Sequence, residues 1–259
     1  MKKNKMKVIT VRKEDLSEET KEEMWMLYSS NYDNTTRQEF EEDLKEKNKI
    51  FIGRDSKTNE FAGFSAMQLY TQKVGSKKIA VIYPGDTMIR KEYWGQKGLH
   101  NQFFIENLKF KIMNPFTPLY FFIICMGYKT YLITTKNCPE YYPRYDRETP
   151  KEMQEVLEEV AGQKFGDDYN VDSHIVSISS TEATLGKNVA QITPAIAEIP
   201  EVKFFLKMNP SYQSGDELAS IAVINWKWFC SLGYKNTIGI LLKNTRLSLK
   251  GFGWRYSNG

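Results

Sequence analysis

A chain of 259 residues, 41% hydrophobic and 26% charged, carries enough apolar side chain to bury a core without disulfide or metal staples. Its formal net charge of +4 is too mild to require nucleic acid as a partner. Cys125, Cys138 and Cys230 are odd in number, widely spaced and without a CxxC pair, and only His100 and His174 add imidazoles. Neither a disulfide framework nor a metal centre is expected. The basic start, residues 1–7, is not followed by an apolar signal-type region. The most apolar run, residues 115–126, falls short of the roughly 20 residues that a membrane span needs. The expected location is therefore the cytoplasm, and nothing in the chain constrains its oligomeric state.

In chain order, residues 7–11 read as a first strand. Residues 17–28 read as a helix, with Met24, Leu27 and Tyr28 at helical spacing. Thr36 and Glu39 form a capping box, and Phe40 and Leu44 follow at i, i+4. A short strand at 50–54, a polar turn at 55–60 and a return strand at 61–70 come next. A second turn at 74–78 leads into a strand at 79–90, which Pro84 and Gly85 interrupt. The spacing then predicts a helix over 99–113, with Phe103, Phe104, Leu108 and Ile112 near one side and Glu106 solvated. The run 115–126 reads as a second helix or an acyl-chain pocket wall, and residues 130–135 as a buried strand. Residues 137–143 read as a turn or a strained short helix.

The second part opens on Thr149-Pro150-Lys151-Glu152, a capping box with proline at the first helical position. Met153, Val156, Leu157 and Val160 continue it, and Gly162 is its expected stop. Strands are expected at 174–179, 217–224 and 237–242, with an aromatic helix at 225–232 and a turn-rich loop at 209–216. Tyr120, Phe121, Phe122, Trp226, Trp228 and Phe229 read as core aromatics. No Gly/Ser-rich linker separates the parts. The expected organisation is 1–147 as one unit and 148–259 packed on it, either as a second lobe or as the completion of the same domain.

The chemical lead lies in Tyr93-Trp94-Gly95-Gln96-Lys97-Gly98-Leu99-His100, between a strand and a helix. A Gly/Lys loop at a helix N-terminus gathers free N–H groups and the positive end of the helix dipole, which suits a phosphate. Gly95, Gln96, Lys97, Gly98, Leu99 and His100 are the candidate cofactor-binding residues.

The order strand, two helices, three meandering strands, glycine loop, helix, strand resembles the GNAT acyltransferase superfamily over residues 7–137. That family has a pyrophosphate loop of pattern Gln/Arg-x-x-Gly-x-Gly/Ala. Here Gly98 matches its central glycine, Gly95 stands for the Gln/Arg, and His100 replaces the small residue. The resemblance implies an α/β fold of the α+β type: a mixed, mostly antiparallel sheet flanked by helices, with a C-terminal elaboration. It implies a bulge near Pro84–Asp86 and a pantetheine arm bound like an added strand, using the backbone of Met88 and Ile89. It further implies acyl transfer from acetyl-CoA or another acyl-CoA to a small-molecule or peptide amine by direct attack. Asp86 would accept the amine proton and Tyr142, with Tyr141 in reserve, would protonate the leaving thiolate. Acyl-carrier-protein donors, and a non-catalytic protein that binds CoA or another ligand, remain as alternatives, since fold alone does not fix function.

Overall fold

The computed structural model describes residues 5–31, 35–177 and 192–231. The expected strand at 237–242 and the whole of 178–191, with the end of the strand expected at 174–179, lie outside them.

Among the described residues nine strands form one mixed, mostly antiparallel sheet, ordered β1-β2-β3-β4-β5-β9-β8-β7, with β6 also on β9. β1 (Met6–Val11) is followed by α1 (Glu18–Ser29) and α2 (Arg37–Glu46). The Ser17 hydroxyl caps α1, and the Thr36–Glu39 capping box starts α2 as expected. β2 (Lys49–Asp55), β3 (Phe61–Val74) and β4 (Lys77–Ile89) then form the meander. α3 (Gly98–Met113) leads to β5 (Leu119–Cys125), which runs parallel to its neighbour β4. α4 (Tyr128–Asn137) and β6 (Tyr141–Tyr142) follow. Next come α5 (Lys151–Phe165), β7 (Tyr169–Asn170) and β8 (Ile175–Val176). α6 (Pro194–Ala197) and α7 (Pro200–Met208) lead to β9 (Glu217–Val223), which pairs antiparallel with β5. A C-terminal strand thus enters the same sheet as the N-terminal meander, and residues 226–231 are helical.

Both faces of the sheet are covered. One face packs on α3, α4 and α7 through Ala80, Ile82, Leu119, Leu132 and Phe205. The other packs on α5 through Ile79, Val81, Phe122, Leu157 and Val160, and on α1 and α2 through Met24, Phe40, Ile50 and Phe64.

Two expectations are reversed between 115 and 137. The run at 119–125 is a strand, not a helix. Its residues alternate strictly between the two cores, Leu119, Phe121, Ile123 and Cys125 to one and Tyr120, Phe122 and Ile124 to the other. A strand buried on both sides has to be apolar at every position. Residues 130–135 are helical, not extended. Tyr128, Tyr131 and Leu132 are buried at i, i+3, i+4, while Ile133 is exposed. Packing of that face against α7 overrides the β-preference of the threonines and isoleucine.

Smaller corrections follow the same logic. Pro150, not Thr149, occupies the cap position of α5, and Glu152 pairs with Lys77 at 2.7 Å instead of capping. α5 runs through Gly162 and stops at Gly166, whose φ of +54° suits a residue without Cβ. Glu106 is buried, not solvated, between Lys109 at 2.8 Å and Lys49 at 3.2 Å. Ile112 is exposed, whereas Phe103, Phe104 and Leu108 pack on the core. Of the expected core aromatics, Trp226 is exposed.

Candidate active site at the opening between two parallel strands

The ladder between β4 and β5 is short. It pairs Ala80 with Leu119, Val81 with Tyr120 and Ile82 with Phe121, and there it ends. β4 continues to Ile89 paired only with β3, and β5 continues to Cys125 paired only with β9. Beyond Ile82 and Phe121 the sheet is therefore open, with a main-chain edge on each side. Such edges are templates for an extended ligand that hydrogen-bonds as a strand does.

A bulge opens the gap. Ser65 pairs with Thr87 and Met67 with Pro84, so Gly85 and Asp86 together oppose Ala66. One extra residue on β4 bends that strand, and Pro84 removes a ladder donor at the same place. The kink expected near 84–86 is present. Met88 and Ile89 follow it, half-buried and paired with Phe64 and Gly63.

Side chains gather on the α1/α2/α5 face of this opening. Tyr83 is the first β4 residue past the last β4–β5 pair, and its ring stacks on Phe122, the first such residue of β5, at 5.8 Å. Burial pushes the Tyr83 hydroxyl well above its usual pKa, with the charges of Glu217, Asp43, Glu46 and Asp86 adding to the effect. A hydroxyl so placed stays protonated and can donate. Burial, helped by the Asp86 charge, likewise pushes Tyr28 up to about 12. Glu217 is buried at the start of β9, one residue before the Leu218–Cys125 pair that ends β5. Carboxylates from β4 and β9 thus influence one tyrosine from either side of the opening.

Two of the chain's own lysines reach the same ring. Lys47 is almost fully buried, its Nζ 2.5 Å from Asp43 and 5.1 Å from the Tyr83 centroid. Lys164, at the end of α5, holds its Nζ 4.2 Å from that centroid, 2.7 Å from Glu46 and 3.5 Å from Gln68 Oε1. Burial works against ionisation of Glu46, yet the hydrogen bond and charge of Lys164 hold its pKa below the usual value.

Of the residues singled out by sequence, Asp86, Met88 and Ile89 lie along this opening. Tyr141 and Tyr142 do not. β6 pairs with the far edge of β9, Tyr141 with Ala222 and Tyr142 with Ile221. Two strands separate them from β4, about 14 Å at ordinary strand spacing. Tyr142 donates to Glu140 at 3.1 Å, and Tyr141 lies under Arg144 at 4.7 Å. An open cavity of about 450 Å³ borders β6, lined by residues 143–149 and Phe204, and it too lies beyond β9.

The glycine loop is divided. Trp94 folds back on the end of β4, its Nε1 donating to the Ile89 carbonyl at 2.7 Å, and Gly95 turns with φ +79° into open space. Gln96 instead accepts from the Met6 amide at 2.9 Å, and its own N–H bonds Tyr93. Gly98 sits against β1, where a Cβ would stand 2.8 Å from Val8 Cγ2. Val8, Gly53, Gly63 and Ile89 share one row across the sheet, so the start of α3 is displaced from β4 by about 14 Å. Leu99 is a core residue, whereas Lys97 and His100 are exposed. The α3 N-terminus still offers the N–H groups of a first helical turn, and no side chain caps it.

Sequence reasoning missed Tyr83, Glu217, Lys47 and Lys164. The signal at hand was Gly85 beside Pro84, which marks the bulge; nothing in the spacing of Lys47, Lys164 or Glu217 ties them to it.

No protein-family model and no curated protein matches the sequence. The chain resembles solved structures over part of its length. An aminoglycoside acetyltransferase from an uncultured soil metagenomic sample is 14% identical, with 51% of this chain and 84% of that chain covered, at a TM-score of 0.35. A Trypanosoma brucei acetyltransferase is 10% identical, covering 56% and 98%, at 0.37. A GCN5-related N-acetyltransferase from Kribbella flavida is 9% identical, covering 54% and 33%, at 0.36, so this chain spans about a third of it. The element order through α4, the bulged β4 and the parallel β4–β5 pair that splays apart are GNAT-like in this chain itself.

Proposed function

We propose that the protein is an acyltransferase that takes an acyl group from acyl-CoA and delivers it to an amine by direct attack on the thioester. The observation that carries this reading is the opening beyond Ile82 and Phe121, with its two main-chain edges and the Gly85–Asp86 bulge. The pantetheine arm would lie in that opening and bond the β4 backbone around Met88 and Ile89. The acceptor, a small molecule or a peptide, would approach from the α1/α2/α5 face. An amine with a pKa near 10.4 must lose a proton before it attacks. Asp86 at the bulge is the assigned acceptor of that proton. Tyr83, kept protonated by burial, replaces Tyr142 as the assigned donor to the departing thiolate. The phosphate contacts fall to Trp94–Gly95 at the end of β4 and to the first turn of α3, with Lys97 and His100 exposed beside it. Gly98 has a packing role against β1.

One observation favours the non-catalytic reading: Lys47 lies across the bulge on the side an acceptor would use. Calorimetric and thermal-shift titration with acetyl-CoA, longer acyl-CoAs and free pantetheine separates the cases. A ligand that binds only the folded state raises the melting temperature. Saturable stabilisation by acyl-CoA supports the reading, and its absence removes it. Binding with no turnover on a panel of amines supports the non-catalytic protein.

A further inference from the structure

The chain's own amine stands where an acceptor amine is needed. Tyr83 and Phe122 are the first residues past the last β4–β5 pair, and their stacked rings form the throat of the opening. The Lys164 ammonium rests 4.2 Å from the centre of the Tyr83 ring. It is held there by Glu46 at 2.7 Å and by Gln68 Oε1 at 3.5 Å, and Gln68 is the residue that pairs with Tyr83 across β3 and β4. The ring face and the carboxylate fix the ammonium in place. Lys47 is closed off, with 1% of its side chain exposed and its ammonium on Asp43. Lys164 keeps 12%, and its partner Glu46 is half open to solvent, 52% exposed. Lys164 therefore combines position, a base in contact and a route for the proton to leave.

Resting on the acyl-CoA reading above, we propose that Lys164 is an acyl acceptor in its own right, so that the protein acylates itself at the end of α5. The Lys164 ammonium passes one proton to the Glu46 carboxylate. The freed lone pair attacks the thioester carbonyl carbon, forming the C–N bond of an amide. The C–S bond breaks, and CoA leaves as thiolate and takes the second proton from the nitrogen to become the thiol. Glu46 then returns its proton to solvent. The balance is one ammonium and one thioester in, and one amide, one thiol and one proton out. Acylation removes the charge from the Tyr83 ring and frees Glu46.

The test incubates the intact protein with acetyl-CoA and follows acetylation of each lysine by peptide mass spectrometry, beside a urea-unfolded sample and a thermal-shift measurement of acetyl-CoA binding. The expected result is acetylation of Lys164 in the folded protein about 100-fold or more faster than in the unfolded chain, as positioning and a contacting base provide. Lys164→Arg removes the label, and Glu46→Gln slows it while acetyl-CoA binding persists. If acetyl-CoA raises the melting temperature but Lys164 reacts no faster than in urea, or the label goes to Lys47, this inference fails and the acyl-CoA reading stands. If acetyl-CoA does not bind, both fall.

Discussion

Lys47 crosses the β4 bulge directly over Gly85: a Cβ on Gly85 would stand 2.5 Å from Lys47 Cε and 3.5 Å from the Ala66 Cβ. The absence of a side chain at Gly85 is what lets a buried lysine stem lie on the strand. Gly85→Val should displace Lys47 and cost about 1–3 kcal/mol, the range for overpacking a filled site. Urea denaturation of Gly85→Val, Lys47→Ala and the double variant gives the coupling. A term of about 0.5–3 kcal/mol is expected for residues in contact, and strict additivity would show that the two do not share this space.

Gly98→Val should act on stability before it acts on any ligand. Its Cβ would press on Val8 Cγ2 at 2.8 Å and on Met6 Cε at 3.2 Å, between α3 and β1. We expect a loss of about 1–3 kcal/mol. A variant with unchanged denaturation midpoint and selectively weaker CoA binding would return Gly98 to the phosphate site.

Once an acceptor is in hand, Asp86→Asn and Tyr83→Phe should each lower turnover by about 100-fold or more, the usual contribution of a general acid or base. Tyr142→Phe should leave turnover near the parent value, because β5 and β9 stand between Tyr142 and the opening. The reverse pattern would place the chemistry beyond β9.

His174 makes a pH prediction. It is buried, with Nδ1 2.8 Å from the Tyr169 hydroxyl and Nε2 3.1 Å from Gln154 Nε2. Burial lowers its pKa, and the charges of Glu158 and Asp172 offset this only in part. Below about 6.5 the unfolded chain takes up a proton that the folded one resists. The unfolded state then binds more protons, so stability rises with pH there and is fully present above about 6.5. Melting temperature should fall as pH drops from about 6.5. His174→Asn, which tolerates the φ of +59°, should flatten that slope. An unchanged slope would assign the pH dependence to other groups.

Much of the local structure is legible in the chain because its causes are local. Thr36 and Glu39 cap each other within one turn, and the polar segment 55–60 reverses the chain between two apolar strands. Pro84 and Gly85 mark the bulge because one lacks a donor and the other a side chain. The apolar run 119–125 is different. Continuous hydrophobicity suits a buried helix or a doubly covered strand equally, and only pairing with β4 and β9 decides between them. Tyr141 and Tyr142 are legible as aromatic residues near a turn, but a strand that arrives about 80 residues later along the chain, β9, sets their distance from Asp86. Lys47, Tyr83, Lys164 and Glu217 come from α2's end, β4, α5 and β9, and no periodicity links them. The sequence by itself determined the elements whose hydrogen bonds and caps close within a few residues. The tertiary structure decided the site, because a ring, its carboxylates and its ammonium groups meet there only after the sheet has brought distant segments side by side.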